Sequence, residues 1–278
     1  MESVHRVHAV AIRDGRVVAL AGDAGLVTFL RSSAKPLQAL PLVRIRPEFD
    51  DRLIAIASAS HCAEPEQIEA VRELLAAAPA AEGDLACGEQ EGRPPGQIHH
   101  NCSGKHAGML AVCRSRGWET DGYCLADHPL QEELVSVVSD AAEAQPATGT
   151  DGCGVVAFAL PLERMASTFA RLGELDGGAR VIAAMRAHPR LVGGGDALDT
   201  LLMEALPGWI AKRGAEGLLC GAGPDATGFA LKVEDGNMRA LPPAVAAVFA
   251  RLGHDLPEFE SVPVEDGRGE VVGEVSCL

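Results

Sequence analysis

Apolar residues along this chain change their period twice. Residues 7–12 and 16–21 are apolar-rich stretches on either side of Asp14-Gly15, a pair suited to a two-residue hairpin turn. Residues 26–30 read as a third strand running straight into Arg31-Ser32. Residues 35–43 then look helical, with Pro36 in the first turn, where the missing N–H costs little. In the middle of the chain the period becomes helical: Ile68, Val71, Leu74 and Leu75 follow Pro65, and Leu130, Leu134, Val137 and Val138 share one face of 129–144. Stretches 103–116, 161–172, 178–187 and 196–206 continue the pattern. Strand signals return at 217–221, 227–233 and 269–275, with one helix at 243–252 between the last two. Strands at both ends with helices between them do not read as repeated βαβ units. They predict an α/β (α+β) chain with one mixed sheet built from both termini. Residues 1–60 and 216–278 would form the sheet-containing lobe and 61–215 a mainly helical lobe of the same compact unit.

Composition narrows the function. Hydrophobic residues make up 47% and charged residues 23%, ordinary for a folded soluble chain. A formal charge of −15 argues against nucleic acid or an anionic membrane as main partner, while leaving a zwitterionic small substrate open. No apolar run approaches the roughly 20 residues of a membrane span. Met1 to Arg6 lack the apolar core of a signal peptide, so a cytoplasmic location is expected. Eight cysteines in that compartment are expected as thiols or metal ligands rather than bridges.

Lysine usage points to chemistry. Of 24 basic side chains only four are lysine: Lys35, Lys105, Lys212 and Lys232. An amine can shed its proton when buried or crowded by cations, and a guanidinium effectively cannot. Lys35 closes Ser32-Ser33-Ala34-Lys35 at a strand-to-helix junction, where a neutral lysine can activate a serine hydroxyl. Bringing a lysine from about 10.4 to near 7 takes roughly 4–5 kcal/mol, which burial and a second cation can supply. The plainer alternative makes Ser32 or Ser33 a helix cap and Lys35 a solvated first-turn residue.

Asn101-Cys102-Ser103-Gly104-Lys105-His106 is more specific. Cys102 and His106 are spaced to share a metal on a helix, and Cys153, in Asp151-Gly152-Cys153-Gly154, would be a distant third ligand. Buried thiols beside a turn are the alternative. His61 reads equally as a substrate contact or as a buried, satisfied histidine. His99 and His100 would face opposite ways in a strand. Gly193-Gly194-Gly195-Asp196 lacks the Lys and Ser or Thr of a phosphate loop. Lys232 ends an apolar stretch, the common setting of an exposed strand end.

Taken together these stretches resemble the type 3 (Rhizobium-type) L-asparaginases, also called the thermolabile asparaginase II family. The resembling segments are residues 3–8, 29–36, 101–110, 151–154, 188–200 and 227–232, in the family's order. The resemblance implies an αβα sandwich like that of serine β-lactamases and glutaminases, a homodimer, and hydrolysis of L-asparagine to L-aspartate and ammonia. By motif matching it implies Ser32 with Lys35 as a first catalytic pair and Ser60 with Lys232 as a second. Cys102, Lys105 and Cys153 would bind zinc with a water as fourth ligand, and Arg31, His61 and Asp151 would contact substrate. Ser60 is either a proton relay or the nucleophile itself. Two departures bear on pocket shape: residues 88–98 are too rich in Pro and Gly for the family's extra helix, and His99-His100-Asn101 replaces His-Asn-Asn. The rival readings are a glutaminase or other small-amide amidohydrolase, and an inactive zinc- or amino-acid-binding protein. A β-lactamase is disfavoured, since neither Lys-Thr-Gly nor Ser-Asp-Asn occurs.

Overall fold

Asp14 and Gly15 both adopt left-handed backbone, φ 50° and 69°, which sets Arg13 opposite Arg16 in the register of the first hairpin. The computed structural model describes residues 2–278, and its strands are β1 (Val7–Arg13), β2 (Arg16–Ala21), β3 (Val27–Phe29), β4 (Ala147–Thr150), β5 (Val156–Pro161), β6 (Ile210–Gly214), β7 (Leu218–Ala222), β8 (Gly228–Val233), β9 (Ser261–Glu265) and β10 (Val271–Ser276). β1, β2, β6, β7 and β8 form one antiparallel sheet in the order β2-β1-β8-β7-β6. Its inner strands do not alternate between buried and exposed positions: β7 and β8 are buried at every residue. Burial on both faces requires cover on both. The helix Leu162–Ala170 packs on β1, β7 and β8, while Leu241–Arg251 packs on β8 and β2. Trp209, Phe229 and Phe249 lock together, with ring centroids 4.8 to 6.0 Å apart. The result is the expected helix–sheet–helix sandwich, with its sheet drawn from both ends of the chain. That sheet is antiparallel throughout rather than mixed, because no helical crossover joins two of its neighbouring strands in parallel.

The structure departs from expectation in the middle and at the end. A second, three-stranded sheet, β3-β5-β4, and the edge strand β6 draw on the stretch read as mainly helical. β9 and β10 pair only with each other, so the last strand leaves the main sheet. Val271 and Val272 are accordingly exposed. Among the described residues no helix is long and apolar enough to cross a membrane.

Three connections place the site. The β3 ladder continues at Leu30, whose N–H reaches the Phe158 carbonyl at 2.8 Å, delivering Arg31 and Ser32 beside the three-stranded sheet. The helix Asp51–Ala57, capped by the Asp50 carboxylate on Leu53 N–H at 3.0 Å, leads into the segment 58–62. Buried Gln67 then fixes that segment, accepting from Cys62 N–H at 2.8 Å and donating to the Arg190 carbonyl at 2.8 Å.

Candidate active site

Arg31 is a non-glycine residue with φ 48°, a conformation that costs of order 1–3 kcal/mol and must be held by its surroundings. The holder is Asp151, whose Oδ1 accepts from Arg31 Nε at 2.7 Å. After this sharp turn the chain enters the 3-10 turn Arg31–Ala34 and then the short helix Lys35–Gln38. Ser32 stays partly exposed at the turn, while Lys35 is wholly buried.

Lys35 Nζ lies 2.6 Å from the Ala59 carbonyl, 2.9 Å from Ser60 Oγ and 3.3 Å from the Asn101 carbonyl. The hydroxyl it reaches is therefore that of Ser60, not that of its own Ser-x-x-Lys partner. Burial lowers the lysine's affinity for its proton, and nearby Lys105 adds to this, while the sulfurs of Cys102 and Cys153 oppose it. The backbone of Ser60 is pinned by its N–H on the Val192 carbonyl at 2.8 Å.

Lys105, on the helix Ser103–Arg116, donates to Cys153 Sγ at 2.9 Å, and Cys102 Sγ lies 3.2 Å from Asn101 Oδ1. The neighbouring Cys153 thiol, followed by the charges of Lys35 and Lys105, holds Cys102 well below the usual thiol range, whereas Cys102 and burial push Cys153 up. Burial works against the Lys105 charge, but the two sulfurs outweigh it and hold the proton on. Two sulfurs and an amine thus converge from two separated stretches, 102–105 and the turn at Cys153. Among the described residues no trio of His, Cys, Asp and Glu gathers to hold a metal; the set that gathers includes a lysine.

The histidines are committed elsewhere. His106, the ligand suggested by four-residue spacing, has Nδ1 2.7 Å from the Tyr123 hydroxyl, which already accepts from Ala86 N–H at 2.9 Å. The other ring nitrogen, Nε2, is buried and has no partner. His61 Nδ1 accepts from Ala63 N–H at 3.1 Å, so Nε2–H donates to Ser103 Oγ at 2.7 Å, and that hydroxyl passes on to the Ile98 carbonyl at 2.8 Å. Burial, then Lys35, bring His61 down to about 3. Fully buried and with both ring nitrogens used, it orders the loop rather than facing a ligand.

Lys232 is not brought to Ser60. It ends β8 opposite His8 and Leu218, its Nζ bonds the Val233 carbonyl, and the charges around it are Glu216, Asp235 and Glu234. The lysine that does approach is Lys212 on β6, fully buried against Asp199 at 3.0 Å. Its carbonyl accepts from Ser33 Oγ at 2.7 Å, and Lys35 is among the charges it feels. Arg213 beside it reaches the Ser60 carbonyl at 3.5 Å and the Gly193 carbonyl at 3.2 Å. Neither Asp199 nor Arg213 drew notice in sequence; a rare lysine in the short run Trp209-Ile210-Ala211-Lys212 was the available signal.

Comparison with known proteins gives the family and the fold. The family model described as L-asparaginase II matches residues 1–277. No curated protein matches. Among solved structures, Mglu in its native form superposes with TM-score 0.54 at 15% identity, covering 91% of this chain and 65% of its own. Mglu in its L-glutamate binding form, solved in 4.3 M NaCl, gives 0.52 at 16%, covering 91% and 62%. The chain thus spans slightly less than two thirds of these neighbours, and at such identities the likeness establishes the fold.

Proposed function

The chain belongs to the L-asparaginase II family, and on that premise we propose that it hydrolyses L-asparagine to L-aspartate and ammonia through a serine–lysine centre. The observation that carries the reading is Lys35: wholly buried, stripped of solvent, and 2.9 Å from Ser60 Oγ one turn after the accessible Ser32. A nucleophile has to be reachable, and of the two serines Ser32 is the more exposed, with Ser60 at 4%. Ser32 is therefore assigned the attack on the side-chain amide carbon, and Ser60 the relay of its proton to Lys35. The same proton returns to the departing ammonia, and water releases aspartate from the ester. Arg31 and Asp151, paired at 2.7 Å and both partly open to solvent, suit the carboxylate and ammonium of an amino acid. Lys212 supplies a second cation to the site in the place first given to Lys232.

Cys102, Lys105 and Cys153 form a donor set that suits zinc, and they are the residues that would hold it. Bound there, the ion would polarise a carbonyl and disfavour protonation of nearby lysines. The chain's own part is to keep Cys102 ionised and to release the Lys105 proton on binding. A homodimer working in the cytoplasm, with all eight cysteines free as they are here, completes the proposal.

A longer amide is the competing substrate, since a structural neighbour was solved in an L-glutamate binding form. Specificity constants for ammonia release from L-asparagine and L-glutamine decide between them. A larger value for asparagine supports the proposal, and a larger value for glutamine replaces it. Release from neither, with the fold intact, leaves a binding protein.

A further inference from the structure

Asp199 and Lys212 are the most completely buried ion pair in the molecule, both side chains fully shielded. Asp199 Oδ2 accepts from Lys212 Nζ at 3.0 Å and from the Arg213 backbone N–H at 3.3 Å. Its Oδ1 lies 3.6 Å from Arg213 Nε and has no hydrogen-bond partner. An apolar pair of similar volume is often as stable as a buried ion pair or more so, and stability alone is thus a poor account of this one.

The two cations that Asp199 holds lead to the two serines. The Lys212 carbonyl anchors Ser33, the neighbour of Ser32. The Arg213 guanidinium spans the Ser60 and Gly193 carbonyls and touches Cys62 Sγ at 3.7 Å. One carboxylate thereby ties the helix Leu198–Ala205 to β6, and β6 to both segments that carry the proposed nucleophile and relay.

We propose that Asp199 is a positioning residue of the amidase reaction, fixing Lys212 and Arg213 so that β6 forms a cationic wall beside Ser32 and Ser60. The inference rests on the serine–lysine reading above. The groups facing Lys212 are Asp199 from the helix Leu198–Ala205, Arg213 on its own strand, Lys35 from the opposite helix, and Cys220 in register on β7. Burial brings Lys212 down to about 8, with Lys35 and Arg213 acting the same way, and Asp199 is the group that opposes them. Cys220, pushed up to about 12 by burial, stays a neutral thiol and gives no help.

The test is the pH profile of kcat for ammonia release by wild type, Asp199→Asn and Asp199→Glu, with thermal melts to establish folding. Without the carboxylate, Lys212 sheds its proton earlier. The alkaline limb of Asp199→Asn should move acidward by about two pH units, leaving kcat at pH 7 about tenfold lower. KM should change less than about threefold, because Asp199 meets no substrate. Asp199→Glu keeps the charge but displaces it, so its kcat should fall with the limb in place. Wild-type kcat and limb in a folded Asp199→Asn would overturn the inference, as would a kcat loss with an unmoved limb, the mark of a merely structural role. If Asp199→Asn does not fold, Asp199→Ser takes its place with the same acidward shift expected, and an unmoved limb there overturns the inference. Silence of the wild type on both amides defeats the amidase reading and this inference together. An active wild type with an indifferent variant defeats this inference alone.

Discussion

Gly104 lies inside the Cys-Ser-Gly-Lys run, where the helix that carries Lys105 comes close to the helix that leads into Ser60. A methyl built there would sit 2.2 Å from the Ile56 carbonyl oxygen and 3.0 Å from both its carbonyl carbon and Cγ1. The obstacle is backbone, which cannot rotate aside, so the helix Ser103–Arg116 must back away from Asp51–Ala57 by about an ångström in Gly104→Ala. Overpacking of this kind costs roughly 1–3 kcal/mol. Alanine returns about 0.5–1 kcal/mol as the better helix former. The balance is a net loss of roughly 0–2.5 kcal/mol, centred a little above 1. The same movement reaches the chemistry, because the Ile56 carbonyl accepts from Ala59 N–H at 3.2 Å and the Ala59 carbonyl holds Lys35 Nζ at 2.6 Å. Displacement on that scale can lower turnover by about a hundredfold. Urea unfolding and ammonia release on the same preparation measure both effects. A Gly104→Ala protein within about 0.5 kcal/mol of wild type and fully active would refute the reasoning.

Other outcomes follow from the same geometry. Lys232→Met should change kcat by less than about threefold, since its neighbours are carboxylates at the end of β8 rather than site residues; a loss beyond about a hundredfold in a folded variant would restore it to the mechanism. Alkaline pH should destabilise the fold: burial pushes Cys87 and Cys220 up to about 12 and Cys113 and Cys124 to about 11. Groups raised in the folded state stabilise it below their unfolded values and lose that contribution as pH climbs through the folded ones. Lys212, lowered to about 8, acts in the opposite sense with Lys35 and Lys232, but Tyr123 and Cys153 are raised by burial or a neighbouring thiol and join the four cysteines. Urea midpoints under reducing conditions should therefore fall between about pH 9 and 11, and a flat or rising midpoint would contradict this. Elemental analysis of purified protein should find about one zinc per chain, lost in Cys102→Ser; zinc retained in full by that variant would remove Cys102 from the ligand set.

Residues with a local signature were readable from sequence. Asp14-Gly15 announced the hairpin, and the junction at Arg31-Ser32 placed the serine–lysine turn. The run 101–106 together with the glycine-flanked Cys153 named the sulfur–amine cluster, although spacing favoured His106 over Lys105. That preference rested on spacing alone, and a four-residue interval says nothing about Tyr123, which engages the histidine Nδ1 from another part of the chain. Lys232 was matched by its place in a motif, and its strand register, opposite His8, puts it at the wrong end of β8. β6 was missed because five residues with two adjacent cations show neither a two- nor a 3.6-residue period. β5 is buried at all but its last position, and a short continuous apolar run reads as helix or strand alike. The Asp199 network could not be seen, since its members are polar residues whose burial is set entirely by tertiary packing.

The most direct test of the serine–lysine centre is ammonia release from L-asparagine by wild type beside Ser32→Ala, with melting curves for both. The account predicts release by the wild type and its loss in a variant that melts like the wild type. A folded Ser32→Ala protein that still releases ammonia at the wild-type rate would contradict it.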